Sequence, residues 1–223
     1  IGASIKTADG RKLGFADFKV ISRLVLIDPL ASADVPASIF VASGINGLAH
    51  CIEGLYSKVQ TPVTTALALH AIRLFMQSLP AVVREPQAAA PRGQALVAAH
   101  LAGLLLVNAR SCLHHAACHS LGGVAGISHG NANSIMLPHA MEFNRGDSGA
   151  ASAMADCALA LGASEASAEA AIERVRWLQE AIGVPRRLRD VGVPRELLAT
   201  VAEKLMTERG LYVNPRPVRD AAQ

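Results

Sequence analysis

Aromatic side chains are scarce in this chain, at 4% of residues, and charged ones make up only 17%. So few aromatics beside abundant alanine argue for close-packed helices, because pleated surfaces favour aromatic and β-branched residues. With 51% hydrophobic residues the chain has the material for a sizeable core, and disorder is excluded. Its 223 residues fit one large or two small domains. The net charge is only +3 and the basic residues are dispersed, so the basic stripe needed for nucleic acid is missing. Long apolar runs are missing too. Leu96–Val107, the longest, is interrupted by His100 and is too short for a membrane span, so it is expected to be a buried helix. No signal peptide opens the chain. The four cysteines (Cys51, Cys112, Cys118, Cys157) show neither a CxxC pair nor framework spacing; Cys51, Cys112 and Cys118 lie inside helical patterns, where buried free thiols are expected, and a reducing cytoplasm is the simplest compartment. A Gly-x-Gly-x-x-Gly phosphate cradle is also absent.

What is present begins with β signals. Ala3–Phe15 reads as a hairpin turning at Ala8-Asp9-Gly10, and Val20–Asp28 as one more strand closed by Pro29. These pieces cannot form a stable sheet alone. Ile1 is not a methionine, and the chain starts as if in mid-structure, so it is expected to be a fragment, a processed product or an incomplete copy of a longer protein. After Pro29 the period becomes helical. Helices are predicted over Ser43–Tyr56, Pro62–Met76, Arg92–Asn108, Ser111–Leu121, Asn131–Phe143, Ser148–Leu161, Glu165–Ile182 and Glu196–Glu208. Glu85–Pro91 reads as a loop, Gly122-Gly123 as an interruption, and Pro138 as a kink or break. The expected fold is mainly α: a β remnant over residues 1–28, then an all-helical domain over 29–223.

Five of the eight histidines fall between Ser111 and Asn144. His115 and His119 share one helix face, and Gly122-Gly123 separates them from His129, at the head of the next segment. Asn46 and His50 form a second pair at helical spacing upstream. A metal site needs several lone-pair donors converging from separate elements, and two helical faces plus a helix start supply them. Helix caps and satisfied core histidines are the ordinary alternative. His70 and His100 stand alone on helical faces and default to packing or surface roles. His139 defaults to a structural hydrogen bond, and His114 is expected to point away from His115. Glu53 lies on roughly the face of Asn46, where a salt bridge or a role in orienting His50 is expected.

These residues give the chain its resemblance to the iron-containing (group III) alcohol dehydrogenase family. GINGLAHCIEGLYS is similar to the family's first metal-ligand helix, and HHAACHSLGGVAGISHGNANSIMLPHAMEFN resembles its second signature. RKLGFADFKVISRLVLIDP looks like the junction between nucleotide and helical domains, and GVPRRLRDVGV with NPRP resembles the C-terminal segment. The resemblance implies a two-domain NAD(P)-dependent oxidoreductase acting on a small alcohol or carbonyl compound. It also implies a divalent metal, iron or zinc, with NAD or NADP held by an N-terminal Rossmann-like domain. The implied metal ligands are Asn46, His50, His115 and His129. His119 matches the histidine beside substrate and nicotinamide, and so carries the catalytic and cofactor-contacting role. A homo-oligomer without membrane or nucleic-acid partners is implied as well.

The family's first ligand is an aspartate, and here Asn46 stands in its place. An amide brings no negative charge to three neutral imidazoles, so a hard cation is expected to bind less tightly or not at all. That asparagine resembles the maleylacetate reductase branch, whose members are not generally regarded as metal-dependent and whose oxo-diacid substrates want cationic anchors; Arg110 and Arg145 flank the histidine stretch. His129-Gly-Asn-Ala-Asn instead resembles the alcohol dehydrogenase branch. A non-catalytic helical fragment or degenerate paralogue is the alternative of another class.

Overall fold

The computed structural model describes residues 2–6 and 12–222. Two strands, β1 (Gly2–Lys6) and β2 (Lys12–Ala16), pair antiparallel with Ser4 opposite Gly14. The expected turn at Ala8-Asp9-Gly10 lies outside the described residues. The strand predicted over Val20–Asp28 does not form. Phe18–Val20 makes a single 3-10 turn, the rest is irregular, and Leu24 and Leu26 stand exposed. A strand needs a neighbour for its N–H and C=O groups, and among the described residues β1 and β2 pair only with each other.

Eight α-helices follow among the described residues: α1 (Ala37–Tyr56), α2 (Pro62–Arg84), α3 (Ala89–Ala109), α4 (Leu113–Ala125), α5 (His129–Asn144), α6 (Ser148–Ala160), α7 (Ala168–Ala181) and α8 (Leu197–Leu205). Side chains cap several of them: Thr61 in a capping box with Thr64 on α2, Ser128 on α5, Asp147 on α6 and Ser167 on α7. Each satisfies a backbone N–H that the first turn leaves without an acceptor. Gly122-Gly123 does not interrupt α4, which runs on until Gly126 ends it with a left-handed φ of 68°. Neither does Pro138 break α5. Its missing N–H leaves the Ser134 carbonyl without its usual donor, and the Gln179 amide of α7 donates there instead.

Helix α1 is the axis of the bundle, packing against α2, α3, α5 and α6, and is buried almost continuously from Gly44 to Tyr56. Its contact with α2 is close because Gly47 faces Phe75: a Cβ there would lie 2.5 Å from the ring. By length and composition alone, α2 and α3 would pass for membrane spans. Here α2 fills the core through Ile72, Phe75 and Leu79, whereas the Leu96–Val107 run of α3 is not the buried helix expected: Ala98, Ala102 and Leu105 face the core, and Val97, Leu104, Leu106 and Val107 stand exposed. All four cysteines are free and buried, as expected for Cys51, Cys112 and Cys118. A smaller cluster of Cys118, Leu121, Ala132 and Val201 ties α4 to α5 and α8.

The segment entering α1 is held by one cation. Arg92 of α3 is 1% exposed, and its guanidinium donates to the carbonyls of Ser32, Val35 and Pro86 while lying 4.7 Å over the Phe40 ring. Arg92→Leu leaves three carbonyls without that donor and should cost about 2–4 kcal/mol, lowering the melting temperature by roughly 5–15 °C for a chain of this size. Arg92→Lys, which keeps the charge but not the fork, should recover only part of the loss. Thermal unfolding of the three proteins measures both. An unchanged melting temperature in the leucine variant would remove the clamp from the account.

Candidate active site

Three helices meet where the histidines gather. Asn46 and His50 come from α1, His115 and His119 from α4, and His129 is the first residue of α5. The His50 and His115 rings stack at 3.8 Å between centroids. His129 lies 6.1 Å from His115 and 5.8 Å from His119. Asn46 Oδ1 is 2.9 Å from His115 Nε2. The five residues that the sequence singled out are therefore brought to one place. His70, His100 and His139 are exposed elsewhere.

Beneath this group sits a buried polar layer. Glu53 is fully buried, one oxygen accepting the backbone N–H of His114 at 2.8 Å and the other lying 2.5 Å from His115 Nδ1. The carboxylate thus orients His115, not His50 as the spacing suggested: seven residues along α1 bring it beneath α4. His114 does not point away either. It is buried with its ring edge-on to His115, its Nδ1 3.3 Å from His115 Nδ1 and its Nε2 3.0 Å from the Asn133 carbonyl. Glu53, His114 and His115 hold potential ligand atoms within 4.8 Å of one another. Their facing lone pairs and protons are already used by one another and by Asn133, so this trio is the support beneath the other histidines.

Burial dominates the electrostatics. It pushes His50, His114 and His115 down to about 3, with neighbouring imidazoles adding to the effect and Glu53 opposing it for His50 and His114. Burial raises the Glu53 carboxyl, opposed by His114 and the backbone donors. Neutral imidazoles are what a metal requires.

The donor set passes a further test. His50 Nδ1 is buried without a hydrogen-bond partner. With its proton on Nδ1 toward Glu53, His115 turns the Nε2 lone pair onto Asn46 Oδ1, so two acceptors face each other at 2.9 Å. A cation beside them reconciles that pair, and so does a half-turn of the amide that presents Nδ2–H to His115. Three imidazoles and an amide oxygen fit a divalent metal of the iron or zinc type.

His119 is the exposed member, half open to solvent, with Nδ1 3.6 Å from Glu208 Oε2. Together with Lys204, Glu208 and Arg209 it lines a cavity of about 410 Å³. Arg110 and Arg145 do not reach this cavity: Arg110 is exposed at the end of α3, and Arg145 pairs with Glu142 and Glu169 on the surface. Lys204, Glu208, His114 and Asn133 were not legible as site residues, since none stands in a recognisable spacing with the histidines.

Residues 40–222 match the model of the Fe-containing alcohol dehydrogenase family, C-terminal. The chain belongs to this family. It is 33% identical over 214 residues to a maleylacetate reductase of Sphingobium indicum, covering 96% of this chain and 58% of that protein. To alcohol dehydrogenase 4 of Saccharomyces cerevisiae it is 32% identical over 204 residues, 92% of this chain and 53% of the yeast enzyme. The crystal structure of the iron-containing alcohol dehydrogenase from Corynebacterium glutamicum superposes with a TM-score of 0.87 at 34% identity, over 98% of this chain and 59% of that one. The chain thus spans somewhat more than half the length of the relatives it matches. Maleylacetate reductases and alcohol dehydrogenases both stand among them.

Proposed function

We propose that this chain forms the metal and substrate portion of an NAD(P)-dependent oxidoreductase that interconverts a small alcohol and its carbonyl compound. The convergence of Asn46, His50, His115 and His129 from α1, α4 and α5 carries this reading. Residues 1–28 are then the end of the nucleotide-binding domain and 29–223 the helical domain. A divalent ion held by the four side chains supplies Lewis-acid polarisation of the substrate oxygen. His119, exposed at the cavity beside them, gives or takes the proton at that oxygen, and Glu208 orients its ring. His50 and His115 remain neutral through burial and so keep their lone pairs available.

No nucleotide cradle is found among the described residues. The glycines with positive φ (Gly126, Gly162, Gly183, Gly192) follow helices or 3-10 turns and do not lead into a phosphate loop. No step of hydride transfer is therefore assigned to them. Asn46 favours a second reading of the same site. A half-turn of its amide satisfies His115 Nε2 without an ion, and His119 with the neighbouring imidazoles then polarises the substrate oxygen by hydrogen bonding, a metal-independent reductase.

The deciding experiment is metal content per chain after anaerobic purification without chelator. About one iron or zinc per chain supports the first reading. None, with carbonyl reduction retained by a protein that also carries the nucleotide-binding domain, supports the second. Absence of both would overturn the oxidoreductase assignment.

A further inference from the structure

We infer that Glu53 is a positioning residue that fixes the His115 proton on Nδ1 and thereby aims the Nε2 lone pair at the space shared by Asn46, His50 and His129. The inference rests on the metal reading above for its purpose. Its geometry stands independently.

The proton positions follow from what stands opposite each ring nitrogen, with Glu53 ionised. The Asn133 carbonyl can only accept, so His114 Nε2, 3.0 Å away, carries a proton. In the neutral ring, His114 Nδ1 is then a bare lone pair, and it faces His115 Nδ1 at 3.3 Å. Glu53 Oε2 faces the same atom at 2.5 Å, and as a carboxylate it too can only accept. Two acceptors on one nitrogen place the proton there. The other Glu53 oxygen is held by the His114 backbone N–H at 2.8 Å, so the carboxylate cannot swing away without stranding an amide in the core. His115 Nε2 is left unprotonated, 2.9 Å from Asn46 Oδ1. A carboxylate behind a histidine sets the ring's tautomer, orientation and basicity. Here one buried side chain does so while also pinning the start of α4.

Glu53→Gln gives a sharp test. The His114 backbone N–H is an obligate donor, so the glutamine must turn Oε1 toward it and Nε2–H₂ toward His115 Nδ1. Accepting from that amide draws the His115 proton to Nε2, where it donates to Asn46 Oδ1, at the cost of setting a bare His115 Nδ1 against the bare His114 Nδ1. The Nε2 lone pair is lost to any ion. The ring nitrogens of the metal-free chain, labelled with ¹⁵N-histidine and read by NMR, report the tautomer directly. A zinc titration of the same samples reports the consequence.

In the wild type, His115 should show a protonated Nδ1 and a bare Nε2. In Glu53→Gln the two should exchange, with zinc affinity roughly 10- to 100-fold weaker, the range for losing a carboxylate behind a metal-bound histidine. A protonated Nε2 in the wild type overturns the inference, and this measurement does not require the variant to fold. An unchanged tautomer in a folded variant overturns it equally. If the tautomer exchanges as stated but wild type binds no zinc, the placement of the proton stands and the metal reading falls.

Discussion

Asn46→Asp should bind zinc or ferrous iron at least about 100-fold more tightly than the wild type, measured by competition against a chromophoric chelator. An amide oxygen offers a lone pair without charge. A carboxylate oxygen roughly 2.1 Å from a divalent ion adds about 4 kcal/mol of attraction even at the dielectric constant of water, a factor near 10³ in affinity. Part of that gain is offset. Without an ion the new carboxylate faces His115 Nε2 across the 2.9 Å contact, which draws a proton between them that a metal must displace. The gain should therefore grow as the pH rises and that proton becomes easier to displace. Equal or weaker binding by the aspartate variant would remove Asn46 from the ligand set.

How far this site could be read in the sequence depends on how local each relation is. Asn46 with His50 and His115 with His119 are one-turn spacings on single helices, visible without a fold. His129 was legible as the head of the next segment, and it is the first residue of α5, which Ser128 caps. What spacing did not reveal was the depth to which each residue is buried. Seven residues along α1 from Asn46 placed Glu53 on roughly the face of Asn46, with His50 as the ring it would orient. Only the packing of α4 against the end of α1 shows it beneath His115. The same holds for Pro138 and for Gly122-Gly123, which read locally as breaks. The donor that rescues Ser134 comes from Gln179, 45 residues on in the chain. The Val20–Asp28 stretch failed the other way: its composition is that of a strand, and among the described residues no partner strand lies beside it.

Below about pH 6.5 the metal-free chain should lose stability steeply, because it holds uncharged imidazoles where the unfolded chain would charge them. His114 and His115 are pushed from 6.5 to about 3, chiefly by burial. Between those values the unfolded state binds protons that the folded state refuses, so stability is fully present above 6.5 and falls as the pH drops. At pH 5 each histidine accounts for at most about 2 kcal/mol, at 1.36 kcal/mol per pH unit, and the pair for about 4. His50, pushed the same way, adds to the loss. Glu53 acts with the opposite sign. Its carboxyl is raised, so the folded state takes up a proton more readily than the unfolded one and offsets part of the fall. Two fully buried histidines and His50 outweigh one carboxyl, and the net slope is toward acid unfolding. Urea unfolding at pH 7.5, 6 and 5 in the presence of chelator measures it, with chelator present because an ion bound only to the folded state would add its own pH dependence. His114→Leu should be less stable at pH 7.5, having lost its bond to Asn133, yet flatter in pH by up to about 1.4 kcal/mol per unit. A wild type whose stability does not change from pH 7.5 to 5 would mean that these imidazoles carry charge in the folded protein. The open lone pair at His115 Nε2, on which the metal reading depends, would then be gone.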